Sequence, residues 1–138
     1  MSGLRMRVLS VALLLAAPLL AGAAAEPHTQ VPPGSRHYTA TPLPDRIVAS
    51  PSADPAHAFA VAWRTDGSVQ SPLLEVAVAG DSPAIEGVRQ LRASTQTLQS
   101  ENGLSHHHRV QVDGLQPDTL YVYRVQGNGS WSAWNQLR

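Results

Sequence analysis

Between Leu115 and Val125 the chain reads Leu-Gln-Pro-Asp-Thr-Leu-Tyr-Val-Tyr-Arg-Val, a turn that runs directly into a strand. Pro117 and Asp118 are turn formers, and from Tyr121 onward large apolar side chains recur at every second position. Leu115, Pro117, Thr119 and Tyr121 have the spacing of a tyrosine corner, in which a phenol near a strand start hydrogen-bonds back to upstream backbone. That device pins a crossover between packed sheets, so the segment points to an all-β Greek-key sandwich. It also assigns structural roles to Leu115, Pro117, Thr119, Tyr121 and Tyr123.

The rest of the chain has the same grain. Arg46–Ser50 reads as a first strand closed by Pro51, and Ala58–Thr65 alternates with Phe59, Val61 and Trp63 on one face. Trp63 belongs near the core centre. Leu73–Ala79 carries Leu74, Val76 and Val78 on one face, while Val88–Leu98 alternates and is polar, which suits one edge strand. His106–Val112, Leu120–Gln126 and Trp131–Leu137 complete a set of about seven antiparallel strands, the last two joined at Asn128-Gly129. Short strands separated by turn residues, with no helical periodicity, predict an immunoglobulin- or fibronectin type III-like sandwich.

The N-terminus has a different character. Arg5 and Arg7 precede the apolar run Val8–Leu20, and Ala23-Ala24-Ala25 satisfies the small-x-small rule for signal peptidase. The run is shorter than the roughly 20 residues that span a bilayer, so residues 1–25 read as a signal peptide cleaved after Ala25. Residues 26–43 form an extended, Pro- and Thr-rich leader that buries little, and residues 44–138 form the sandwich. This predicts a secreted or periplasmic protein without membrane contact after cleavage. Cysteine is absent and every basic residue is Arg, a combination that leans toward a bacterial exported protein. Once Arg5 and Arg7 leave with the signal, acidic residues outnumber basic ones by two. No basic stripe remains to neutralise phosphates, which excludes nucleic acid as a partner.

Four segments together carry a resemblance. They are Pro44-Asp45-Arg46-Ile47, Val61-Ala62-Trp63-Arg64-Thr65, the run from His108 through Gly114-Leu115 to Val125, and Trp131-Ser132. In this order they resemble the N-terminal fibronectin type III-like domain of purple acid phosphatases and related secreted metallophosphoesterases. The resemblance covers residues 44–138. It implies a partner, a separate catalytic domain holding two metal ions through motifs such as G-D-x-x-Y and G-N-H-[DE]. Neither occurs here: Gly80-Asp81-Ser82-Pro83 lacks the Tyr, and Gly127-Asn128-Gly129-Ser130 lacks the His. No cofactor is therefore expected in this chain, and the dinuclear metal belongs to the missing catalytic domain.

Three groups of residues invite a chemical reading. His106-His107-His108 could place His106 and His108 on one strand face as metal ligands, with His57 or Glu101 as further donors. Against this stands a hydrogen-bonded, partly buried His108 beside a solvated His107. Trp131 and Trp134, three positions apart, fall on opposite faces of a regular strand, so one should enter the core and the other form an interaction surface. Glu75, Asp81 and Glu86 are available carboxylates but read as solvated charge on turns or exposed strand faces. With no nucleophile elbow and no convergent acid and base, the chain is not expected to be an enzyme. It is expected to be a non-catalytic exported module of a purple acid phosphatase-like metallophosphoesterase, in a truncated or partial chain. The alternative is a standalone extracellular binding or adhesion module whose ligand engages an exposed edge or loop tip.

Overall fold

A computed structural model describes residues 31–32 and 35–138. The signal peptide and most of the leader's first part lie outside the described residues. Eight strands follow in order: β1 Asp45–Pro51, β2 Phe59–Thr65, β3 Leu73–Val78, β4 Arg89–Arg92, β5 Ser94–Ser100, β6 Gly103–Val112, β7 Tyr121–Val125 and β8 Asn135–Leu137. They form two four-stranded antiparallel sheets, ordered β1-β2-β6-β5 and β4-β3-β7-β8. Among the described residues there is no helix.

Alternation builds the core. Phe59, Val61 and Trp63 of β2 and Val110 and Val112 of β6 face Leu74 and Val76 of β3 and Tyr121, Tyr123 and Val125 of β7. Trp63 and Val61 are almost wholly buried, and the Trp63 indole Nε1–H donates to the Gln126 carbonyl across the sandwich at 3.1 Å. Val78 shares the Leu74 face but is 54% exposed, because β3 overruns the core at that end.

Two readings from sequence change. The single edge strand Val88–Leu98 divides at Ala93, whose N–H bonds the Pro72 carbonyl (3.0 Å) instead of a ladder partner. The chain leaves one sheet after Arg92 and joins the other at Ser94. Leu91, Ala93 and Thr95 nevertheless keep facing the interior, so alternation runs unbroken across the step. The leader is also anchored earlier than expected. The Tyr38 carbonyl accepts from the Arg64 guanidinium (2.9 Å), the Thr41 carbonyl from Asp66 N–H (2.8 Å) and the Pro42 carbonyl from Asn128 N–H (3.0 Å). This strap lies against Gly127, where an added Cβ would come within 2.8 Å of the Pro44 ring and closer still to the Pro42 carbonyl.

The two long seams of the sandwich differ. Ala93 joins the sheets covalently on the β4/β5 side. On the β1/β8 side a cavity of about 200 Å³ opens between Ala49, Phe59, Leu115 and Leu137.

Candidate functional site

β6 pairs with β2 so that His108 stands opposite Trp63 and His106 opposite Thr65, turning both imidazoles inward. His108 is 1% exposed and held between two hydroxyls: Thr65 Oγ1 lies 2.8 Å from Nε2 and Thr95 Oγ1 lies 2.9 Å from Nδ1. Each hydroxyl also reaches a carbonyl, Thr65 Oγ1 that of Asp66 (3.0 Å) and Thr95 Oγ1 that of Gln70 (3.2 Å). The neutral ring donates from one nitrogen to one of these hydroxyls and accepts at the other nitrogen from the second. Burial, reinforced by the neighbouring charges of His106 and His107, pushes the His108 pKa down to about 4. His106 Nδ1 is 2.6 Å from the Val69 carbonyl, and its ring meets His108 edge-on at 6.1 Å.

These rings do not gather donors for a metal. Among the described residues no group of three or more His, Cys, Asp or Glu side chains could hold an ion. His57 is paired with Asp54 (2.8 Å) ahead of β2, beyond the opposite end of β6 from His106, and Glu101 sits in the exposed β5–β6 turn. The expectation of a partly buried His108 understates its enclosure.

The corner has the geometry its spacing suggests. Tyr121 Oη accepts from Gln116 N–H at 2.8 Å, five residues upstream. Thr119 Oγ1 donates to the Pro117 carbonyl (3.1 Å), and Leu115 N–H donates to the His57 carbonyl (2.9 Å), tying the turn to the neighbouring sheet. Asp118 takes the left-handed conformation, φ 51°, that the turn requires. Leu115 packs against the core, whereas Pro117 is exposed. Tyr123 stacks at a tilt on Phe59 (5.7 Å) inside the sandwich, and burial raises its phenol pKa.

The outer face of the second sheet carries a cluster that strand alternation misplaced. Trp131 makes only an isolated bridge to Gln126, and residues 132–134 leave the ladder, so β8 begins at Asn135. Freed from strand geometry, both tryptophans turn to the same side. Neither enters the core; both are half-buried. The Arg124 guanidinium lies between them, 4.7 Å from the Trp131 ring and 4.5 Å from Trp134. Its Nε–H donates to Glu75 Oε2 (2.6 Å), while Gln90 donates to Glu75 Oε1 (2.8 Å). Glu75 is buried beneath this group, which corrects its reading as solvated charge. Ser132 fixes the turn: its hydroxyl accepts from Val125 N–H (3.1 Å) and donates to the Ala133 carbonyl (2.9 Å). The signal missed in the sequence was Arg124, an outward cation on β7 with two nearby tryptophans outside regular strand.

A family model, the N-terminal domain of purple acid phosphatase, matches residues 44–138. The chain belongs to that family. No curated protein matches the chain significantly. The matched span takes in all eight strands of this purple acid phosphatase N-terminal domain, from β1 to β8, and starts at the end of the strap. Within it the buried histidines serve the sandwich interior, and the Trp131–Arg124–Trp134 stack places two half-buried tryptophans on the outer face of the second sheet.

Proposed function

We propose that this chain is an exported, non-catalytic module that docks against a purple acid phosphatase-type catalytic domain. The observation that carries the reading is the family match across the whole sandwich, since the family is defined by its place in such phosphatases. The docking surface is the outer face of the second sheet. Trp131 and Trp134 there are rigid, half-buried amphipathic rings, the residue type that anchors interfaces, and the Arg124 they flank adds a fixed positive charge. Hydrolysis of phosphate esters would belong to the catalytic domain, where a metal-activated nucleophile does the chemistry. Export through residues 1–25 would place both in the same compartment.

The test is binding in trans. A purple acid phosphatase catalytic domain stripped of its own N-terminal domain is titrated with this chain by calorimetry. Saturable binding that weakens about tenfold or more in Trp134→Ala is the expected result. No heat of binding, or reproducible phosphatase turnover by this chain alone with iron, zinc or manganese, would overturn the reading. Saturable binding to an unrelated extracellular ligand instead would favour a standalone adhesion module.

A further inference from the structure

Four strands stand at sheet edges, and three of them are guarded. β1 is broken by a register shift between Asp45 and Val48, with Arg46 at φ 49°, and ends on Pro51. β4 has four residues, two of them arginines anchored to the Asp113 and Ser71 carbonyls. β8 has three residues. Shortness, charge, proline and bulges are the devices by which edges resist pairing with another chain.

β5 has none of them. Its seven residues, Ser-Thr-Gln-Thr-Leu-Gln-Ser, include no charge, proline or glycine. It pairs with β6 in unbroken register from Ser94↔Arg109 to Ser100↔Gly103, so its other side presents a straight row of backbone donors and acceptors. All but Thr95 are exposed.

We infer that β5 is a self-association edge, pairing antiparallel with β5 of a second copy to extend the first sheet across a two-fold axis. The occupant follows from the charges. Arg92, exposed at the end of β4 two residues before β5 begins and bonded through Nη1 to Ser71, and Glu101, exposed just after Ser100, put opposite charges at the two ends of the strand. Antiparallel self-pairing brings the Arg92 end of each copy to the Glu101 end of the other, whereas parallel pairing sets like charges together. A two-fold axis normal to the sheet requires opposed residues to share a face. Centred on Thr97, it sets Thr97 against Thr97, Thr95 against Gln99 and Gln96 against Leu98. No charge is confronted, and Thr and Gln can hydrogen-bond across the ladder. This inference does not depend on the docking proposal, which uses the other sheet.

Sedimentation velocity of the full chain over a concentration series tests it, with Thr97→Lys and Thr97→Glu alongside. The wild type should form dimers. Each variant alone should stay monomeric, because like charges meet at the axis, and an equal mixture of the two should recover the dimer. A monomeric wild type at every concentration, or a dimer indifferent to Thr97→Lys, would overturn the inference. A second variant covers the case where charge at this site disturbs folding. The chain has no cysteine, so Thr97→Cys supplies its only thiol. Opposed Cα atoms in an antiparallel pair lie about 4.5–5.5 Å apart, within disulfide reach. Thr97→Cys should therefore oxidise to a covalent dimer, while Gln111→Cys, exposed on β6, should not. Equal cross-linking at both positions counts against β5.

Discussion

Acid should destabilise this sandwich through one side chain. His108 is enclosed between Trp63, whose ring centroid is 5.3 Å away, and the hydroxyls of Thr65 and Thr95, and its pKa falls from 6.5 to about 4. The folded state therefore binds fewer protons than the unfolded state between those values. Stability from this group is fully present above about pH 6.5 and declines as pH falls, until it is exhausted near pH 4. At about 1.36 kcal/mol per unit, the difference amounts to about 3 kcal/mol, and the slope in mid-window approaches about 1.4 kcal/mol per pH unit. Urea unfolding at half-unit steps from pH 7.5 to 4, on wild type and His108→Gln, measures it. The variant should be the less stable protein at pH 7.5, because it loses ring packing and one hydroxyl contact. Its stability should then vary less with pH, so that the two curves converge toward pH 4. Asp45, whose carboxyl is held below its usual range chiefly by the Arg64 hydrogen bond, loses its contribution only at lower pH. Its contribution is common to both proteins and cancels in the difference. Parallel curves across the window would refute the buried neutral imidazole.

Two further substitutions probe the frame. Tyr121→Phe removes the hydroxyl that receives Gln116 N–H and should cost about 1 kcal/mol, lowering the melting temperature by roughly 4–8 °C in calorimetry. Gly127→Ala forces a methyl against the strap at Pro42 and Pro44 and should cost about 1–3 kcal/mol, with faster amide exchange at Asn128 as the local signature.

The corner and the inward stripe of β2 were legible because they depend on neighbours in sequence. Gln116 and Tyr121 are five residues apart, and Phe59, Val61 and Trp63 need only a period of two. Glu75 and Arg124 are 49 positions apart, and only the β3–β7 register places them side by side. No local pattern could reveal that the carboxylate is buried. The division at Ala93 was hidden for another reason: a strand that steps between facing sheets keeps the same residues pointed inward, so its periodicity does not change. Strand alternation misplaces the tryptophans because ladder geometry does not extend through Ser132 and Ala133, where the Ser132 hydroxyl makes a local turn. The strap was missed because it is held by backbone carbonyls at Tyr38, Thr41 and Pro42, which residue type does not announce.

The unequal seams give the molecule a direction in which to breathe. At Ala93 the sheets share covalent chain, as two covers share a spine, and cannot slide there without breaking the backbone path. Along β1 and β8 no chain crosses between the sheets; side chains around a void, the Leu115–His57 backbone bond and the strap's bond to Asn128 oppose separation, and β8 offers three residues of ladder. Thermal opening should therefore begin at that fore-edge, exposing Phe59 and Leu115 before the spine side yields.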